Sequence, residues 1–420
     1  MTRPADLVIT DLAKPQFNEP AARLRAAMAE MAPAMTIAPD VLLAAASDQT
    51  GLSDFGDPWF REPLDVLCTA LNDEAELCPA GVVSIWSQLV GMLKNRLLVE
   101  AAIRRHPEIL DVSIAAPIVI LGLPRTGTTH LHNLMSADPA LRSLAYWESL
   151  EPVLPDAEVG LDPDPRINRT AEGLGMVDTF MPEFKRMHEM TVDHAHEEIQ
   201  LLAVAGSTML FETMAPMPTW RDWYKSTDQT PAYSYLRRIL QVLSWQRGRD
   251  KRWVLKSPQH FEEMPVLRAT FPDATFVVTH RDPVAVTASL VMMMAYTLRM
   301  VRDEIDVPGV GAYWADRAQD LLGGCLRDRD VLPSDRSVDV LFHDFMADDV
   351  ATVRRIYGVA GQPFTPDVQA AMDAFMADHP RGKYGRVEHS LAEFGLDAAA
   401  LRKTFEPYVE RFAVRREVPS

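Results

Sequence analysis

Pro117–His130 reads PIVILGLPRTGTTH. Residues 118–123 form an apolar run, as a strand buried in a parallel sheet requires. Gly122 and Gly127 then let the backbone turn tightly, so that successive N–H groups point into one concavity. Thr128 and Thr129 open the following helix and add hydroxyl donors to the positive end of its dipole. A strand that breaks into such a loop and then into a helix is a cradle for a phosphate or a sulfate.

The nucleoside-triphosphate loop GxxxxGK[ST] uses its lysine to reach the terminal phosphates and its hydroxyl to hold magnesium. Here Thr128 stands at the lysine position and the cation moves into the loop as Arg125. A ligand with less charge than a magnesium triphosphate fits that change, which favours a sulfonate over a γ-phosphoryl group. A bare strand-to-helix turn demands neither an arginine nor three threonines.

A second stretch, TFVVTHRDPVAVTASL at Thr275–Leu290, runs from an apolar strand to Arg281, with Asp282 and Pro283 starting a helix. Ser289 follows eight residues after Arg281, about two helical turns in, so both can face one anionic group. The plainer readings are a surface ion pair of Arg281 with Asp282 and a Ser289 hydroxyl bonded back to its own turn.

Together the two stretches resemble the sulfotransferases that use 3′-phosphoadenosine 5′-phosphosulfate (PAPS), in particular the mostly bacterial group with PRxGTT loops. The resemblance implies an α/β fold with a P-loop-type parallel sheet flanked by helices, and PAPS as co-substrate with no metal. It implies that Pro124, Arg125, Thr126, Gly127, Thr128 and Thr129 bind the 5′-phosphosulfate, and that Arg281 and Ser289 bind the 3′-phosphate. WVLKSPQH at Trp253–His260 resembles the family's LKSP segment, whose lysine sits by the sulfonate, here Lys256. Arg381, Lys383 and Tyr384, and later Phe394–Asp397, resemble the loop that closes over the nucleotide. The likeness runs from about residue 115 to 400 and, more loosely, includes PWF at Pro58–Phe60 and NRL at Asn95–Leu97.

Sulfuryl transfer needs a donor cradle, cations for the leaving oxygen and a base for the acceptor hydroxyl. Arg125 and Lys256 supply the cations. Glu148, in Tyr146-Trp147-Glu148, lies at the distance after the loop where related protein-tyrosine sulfotransferases carry a catalytic glutamate, and is the expected base. Its rivals are His196, Glu197 and Glu198 in VDHAHEEIQLL, and His260 in LKSPQH. HAHEE also reads as a helix N-terminal cluster whose acids favour the dipole. It is not expected to hold a metal, because His194 and His196, two apart, cannot both face one side of a helix.

Composition is consistent with this reading. With 420 residues and 47% hydrophobic content the chain can bury a large core, expected as a helical N-terminal extension over 1–110 and a sulfotransferase-like domain over 111–420. The net charge of −17 argues against a nucleic-acid binder, so any basic patch must be local. Three widely spaced cysteines, Cys68, Cys78 and Cys325, support neither a disulfide framework nor a zinc ribbon. The stretch MTRPADLVITDLAKP lacks the apolar core of a signal peptide, and a cytoplasmic location is expected. Val284–Leu298 is too short to span a bilayer and reads as a buried helix.

Val82, Ile85, Leu89, Leu93 and Leu97 form a packing stripe of a helix that His106-Pro107 ends. Strands are expected at 117–123, 252–256, 275–280 and 338–343, with helices near 128–137, 194–212, 231–247, 283–302, 312–328 and 367–378. The Pro-rich acidic stretch Glu151–Arg166 is expected as a loop bordering the acceptor site. Phe180, Met181, Met187, Met190, Met292, Met293, Met294, Tyr296 and Met300 are candidates for an adaptable apolar pocket, favouring an apolar hydroxyl compound such as a lipid, sterol or phenol as acceptor. Two other functions fit less well. One is a P-loop kinase or NTPase with Thr129 on magnesium and an acid from VDVLFHD at Val338–Asp344; the other is a PAPS-binding protein without turnover. The sequence leaves the oligomeric state open.

Overall fold

The computed structural model describes residues 4–417, so the first three positions of the N-terminal stretch discussed above lie outside the described residues, as do 418–420. A five-stranded parallel sheet organises the chain, in the order Leu141–Arg142, Arg252–Lys256, Ile118–Leu121, Thr275–His280, Ser337–Leu341. Ile118–Leu121 and Thr275–His280, buried at every residue, lie inside the sheet, and their mostly apolar sequence follows from helices covering both faces. Ser337–Leu341 alternates buried and half-buried positions and lies at an edge.

Alternation sorts the two faces into two cores. Ile118, Ile120, Val254 and Val277 join Leu131, Phe345 and Tyr357 on one side. Val119, Leu121, Leu255, Phe276 and Val278 face a larger core that also holds Leu67, Leu89 and Leu97 from the N-terminal helices. The described residues up to 110 therefore share a continuous apolar core with the sheet. In the long helix Pro79–Arg105, Ile85, Leu89, Leu93 and Leu97 are buried and Val82 partly so, and the helix stops at His106. PWF and NRL meet here: buried Arg96 stacks over the Phe60 ring at 4.2 Å and donates to the carbonyls of Phe55 and Asp57.

The chain leaves the central strand towards one edge, returns through Arg252–Lys256 and continues on the other side with Thr275–His280. That reversal opens a crevice beyond the carboxyl ends of the strands, where doubly wound sheets bind ligands. Arg125, Lys256 and Arg281 all lie there, just past or at the ends of their strands.

Two expectations need correction. The helix expected over 194–212 starts late, because Ala195–His196 pairs antiparallel with Leu144–Ala145; the helix itself is Ile199–Ala205, closed by Gly206 at φ +102°. In the stretch expected as a loop, Asp164 caps a helix, Pro165–Phe180, with proline at its first position. Pro283–Met300 is long and apolar enough to cross a bilayer, and 72% of it is buried inside the protein. Cys68, Cys78 and Cys325 are buried and unbridged.

Candidate active site

The cradle depends on its glycines. A Cβ at Gly122 would lie 2.0 Å from Thr279 Oγ1, and Gly127 has φ +86° at the start of the helix Thr128–Ser136. Arg125 adopts φ +71°, which a non-glycine residue rarely does. The helix leaves its first N–H groups without intrahelical acceptors, aimed at the crevice. Thr126 is nearly sealed and spends its hydroxyl on the Leu123 carbonyl at 2.7 Å, beside Thr279, so its side chain pins the loop and only its backbone faces an anion. Pro124 is half-buried, the Thr128 side chain is buried, and Thr129 lines the cleft.

Arg125, Arg281 and Ser289 converge. Arg125 Nε donates to Ser289 Oγ at 2.9 Å, and Arg281 Nη1 donates to the Arg125 carbonyl at 2.6 Å. Arg281 stacks on Phe342 at 3.9 Å and grips Glu417 with Nε and Nη2, each at 2.8 Å, so its fork already holds a carboxylate. Burial, with Arg281 nearby, lowers Arg125 to about 10, leaving it cationic at neutral pH.

A cleft of about 350 Å³ opens in front of the cradle, lined by the cations Arg125, Lys185, Arg186, Arg381 and Lys383 against one carboxylate, Glu189. In a chain of net charge −17 this is the local basic patch that an anionic ligand needs. Lys383 pairs with Glu189 at 2.5 Å, and Arg381 pairs with Asp349 and donates to the Met346 carbonyl. Phe342, Phe375 and Tyr384 add aromatic surface. Phe394 is instead buried against the helix Val307–Asp328, and Asp397 caps the helix Ala398–Phe412, so that part of the expected closing loop does not reach the cleft.

Beside the cleft, buried Lys256 pairs through Nζ with Glu197, and its backbone N–H donates to Glu198 at 2.7 Å. Glu198 also pairs with His260 Nε2 at 2.6 Å, while His260 Nδ1 meets the Tyr233 hydroxyl at 2.8 Å. Burial alone would push the Glu198 carboxyl up, but these bonds hold it below its usual range. Glu198 and His260 are sealed, and their bonds brace the strand that carries the lysine.

Glu148 takes a different place from the one its sequence position implied. It is buried and accepts from Arg142 Nη2 at 2.8 Å and from Arg247 Nη2 at 3.1 Å, while Arg142 also donates to the Leu243 carbonyl. Two arginines hold Oε1 of this carboxylate at the sheet edge, and the residue does not line the donor cleft.

His194 and His196 form the site's other feature. His194 lies just before the short strand and His196 within it, two apart in extended backbone, so their rings fall on one side. His194 Nε2 and His196 Nδ1 are 2.9 Å apart, and His194 Nδ1 is 2.6 Å from the Thr191 carbonyl. His194 Nδ1 also lies 3.1 Å from the Thr191 N–H; in the tautomer whose Nδ1–H donates to the closer carbonyl, His196 Nδ1–H donates to His194 Nε2 and His196 Nε2 carries the free lone pair. Burial, then His194 and Lys256, hold His196 well below its ordinary value, so it is neutral. Among the described residues no group of three or more His, Cys, Asp or Glu is arranged to hold a metal ion.

These buried histidines have a measurable consequence. His132, lowered to about 3 by burial and Lys256, and His196 stay neutral in the fold, whereas both take up a proton at about 6.5 when unfolded. Because the folded values are depressed, the stability they contribute is present above about pH 6.5 and is lost as pH falls below it. Each group adds a slope of up to about 1.4 kcal/mol per pH unit. Thermal unfolding is therefore expected to hold steady from pH 8 to 7 and to fall from pH 6.5 to 5. A melting temperature unchanged over that lower interval would mean that the imidazoles charge inside the fold.

Lys185, Arg186 and Asn133 were not singled out from the sequence, His194 was weighed only as a metal ligand, and Tyr146 only as a neighbour of Glu148. Lys185-Arg186 sits in a methionine-rich stretch read for its apolar character, although a basic pair there is the visible signal. Of the methionines, Met181 and Met300 line a separate cavity, Met187 lines the cleft, and Met292 and Met294 are packed in the core. Of the two acids in Val338–Asp344, Asp339 is held by Arg329 and His280 at 2.7 and 2.8 Å, and neither it nor Asp344 lines the cleft.

Residues 117–366 match the family described as "Sulfotransferase family". Among solved structures, sulfotransferase STF1 from Mycobacterium tuberculosis H37Rv is 32% identical with a TM-score of 0.77, covering 88% of this chain and 98% of that one. Sulfotransferase STF9 from Mycobacterium avium is 28% identical with a TM-score of 0.81, covering 90% and 98%. The omega-hydroxy-beta-dihydromenaquinone-9 sulfotransferase Stf3 of Mycobacterium bovis is 22% identical over 319 residues, covering 72% of this chain and 76% of that protein.

Proposed function

This chain belongs to the sulfotransferase family, and on that premise we propose that it moves a sulfuryl group from PAPS to a hydroxyl of an apolar, lipid-like small molecule by in-line transfer. The observation that carries the reading is the cradle at the sheet's switch point, with Arg125 inside the loop and a buried threonine where a triphosphate loop has its lysine. The N–H groups of 127–129 suit the 5′-phosphosulfate, and Arg281 suits the 3′-phosphate, which would replace the Glu417 carboxylate in its fork. Arg381 and Lys383, already oriented by carboxylates, suit the remaining charge. Lys256, its Nζ now paired with Glu197, would neutralise the oxygen that leaves with the 5′-phosphate.

For the base we favour His196 over Glu148. A neutral imidazole hydrogen-bonded to His194 can accept a proton, whereas a carboxylate whose Oε1 is held by both Arg142 and Arg247 is a poor acceptor. The menaquinone derivative in the name of the Mycobacterium bovis relative supports an apolar acceptor for this chain as well.

Donor choice is tested without an acceptor. The nucleotide 3′-phosphoadenosine 5′-phosphate is expected to raise the melting temperature, since a ligand at 100 times its Kd adds about 2.7 kcal/mol, while ATP with magnesium at the same concentration does far less. An equal or larger shift with magnesium ATP would overturn the assignment and favour a kinase.

A further inference from the structure

A larger cavity, of about 700 Å³, lies behind the cleft between the helices Pro79–Arg105, Tyr146–Leu150, Pro165–Phe180 and Ile199–Ala205. That volume suits a ligand of drug size. Apolar side chains including Ile85, Leu98, Val177, Met181 and Met300 make up much of its wall. Tyr146 also lines it, and the Tyr146 ring packs on His196 at 4.6 Å and His194 at 5.2 Å, while His194 lines the donor cleft. One layer of rings therefore separates the two spaces, with His196 in that layer.

The polar groups of the cavity are unequal. Arg169 is satisfied by Glu151 at 2.6 Å and Glu158 at 2.8 Å. Lys94 is half-buried in the wall, and among the described residues it has no hydrogen bond or ion pair, so its ammonium is free to meet an anion. Exposed Val159, Leu161 and Met176 follow or flank the lining residues Glu158 and Val177, extending apolar surface outward from the cavity.

We propose that this cavity is the acceptor site and takes an elongated apolar alcohol that carries an oxyanion, its hydroxyl at the Tyr146–His196 wall and its oxyanion on Lys94. The assignment rests on the sulfuryl-transfer reading. In the step, the hydroxyl oxygen forms a bond to sulfur as the bond from sulfur to the 5′-phosphate oxygen breaks. The electron pair leaves with 3′-phosphoadenosine 5′-phosphate, and the hydroxyl proton passes to His196 Nε2.

Two glycines make the test clean. A Cβ at Gly91 or at Gly173 meets no atom within 4 Å, and both residues line the cavity, so a phenylalanine there fills it without a backbone clash and with better helix propensity. The probes are 16-hydroxyhexadecanoate and hexadecan-1-ol, with PAPS as donor. The wild type is expected to sulfate the hydroxy acid with the lower KM. Lys94→Met should raise that KM at least about tenfold, as loss of a charge-assisted contact does, with kcat little changed and the KM of the plain alcohol unmoved. Gly173→Phe, and independently Gly91→Phe, should abolish turnover of both while the thermal shift with 3′-phosphoadenosine 5′-phosphate stays intact. Undiminished turnover in both filled variants overturns the site. Turnover of neither probe by a wild type that binds the nucleotide overturns the acceptor class, as does an equal KM rise for both probes in Lys94→Met. Absence of the nucleotide shift in the wild type instead removes the sulfuryl-transfer reading beneath it.

Discussion

His196→Asn is expected to lower kcat by about 10²–10⁴-fold, the range for removing a general base, while leaving the thermal shift with 3′-phosphoadenosine 5′-phosphate unchanged. Asparagine fills much of the space of imidazole but has no basic nitrogen, so the acceptor keeps its proton at the moment of attack. His194→Gln should produce a smaller loss, because it disturbs only the hydrogen bond that presents Nε2 of His196. The pH profile separates chemistry from packing. Burial depresses the His196 value well below 6.5, so the base stays deprotonated and kcat/KM should persist as pH falls through 6.5, with its acid limb lower down. Glu148→Gln is the control: it leaves Arg142 and Arg247 without their carboxylate and should reduce stability more than kcat. A folded Glu148→Gln protein with collapsed kcat, beside a His196→Asn protein within threefold of wild type, would return the role to Glu148.

The contrast between these two residues shows what a sequence transmits. The cradle was legible because its determinants are local: an apolar strand, two glycines and an arginine within fourteen residues fix the turn and its chemistry wherever the rest of the chain goes. Four of the five sheet strands were legible for a related reason, since buried parallel strands are continuous apolar runs; Leu141–Arg142, two residues long, carries no periodicity to detect. Position along the chain does not say which way a side chain faces, and Arg247, one of the two arginines that hold Glu148, lies 99 residues away. The histidine pair was obscured by its assumed period. On a helix His194 and His196 diverge, whereas in extended backbone the same spacing brings them to 2.9 Å. The cavity with Lys94 is assembled from several helices distant in sequence, so no single stretch could announce it.

Arg317→Met is expected to cost about 3–5 kcal/mol in chemical denaturation, as removal of one partner from a buried ion pair does. Arg317 is fully buried in the helix Val307–Asp328; its Nε donates to Glu212 at 2.9 Å, its Nη1 to Glu262 at 2.8 Å, and the Tyr313 hydroxyl also donates to Glu212. Burial pushes the Glu212 carboxyl up even with the guanidinium opposing it, so without Arg317 two buried carboxylates face each other and at least one must take a proton. A raised folded value means that the missing stability is worst at high pH. The deficit relative to wild type should therefore shrink as pH falls from 8 towards 5. The cluster also joins two parts of the active region: Glu212 precedes the cavity residues Thr213 and Met214, and Glu262 ends the turn that follows Lys256. Replacing all three residues, Arg317→Met with Glu212→Leu and Glu262→Leu, removes the unpaired charges and should recover much of the loss. A triple variant as unstable as the single one would show that Arg317 acts through the shape it fills rather than through the charges it neutralises.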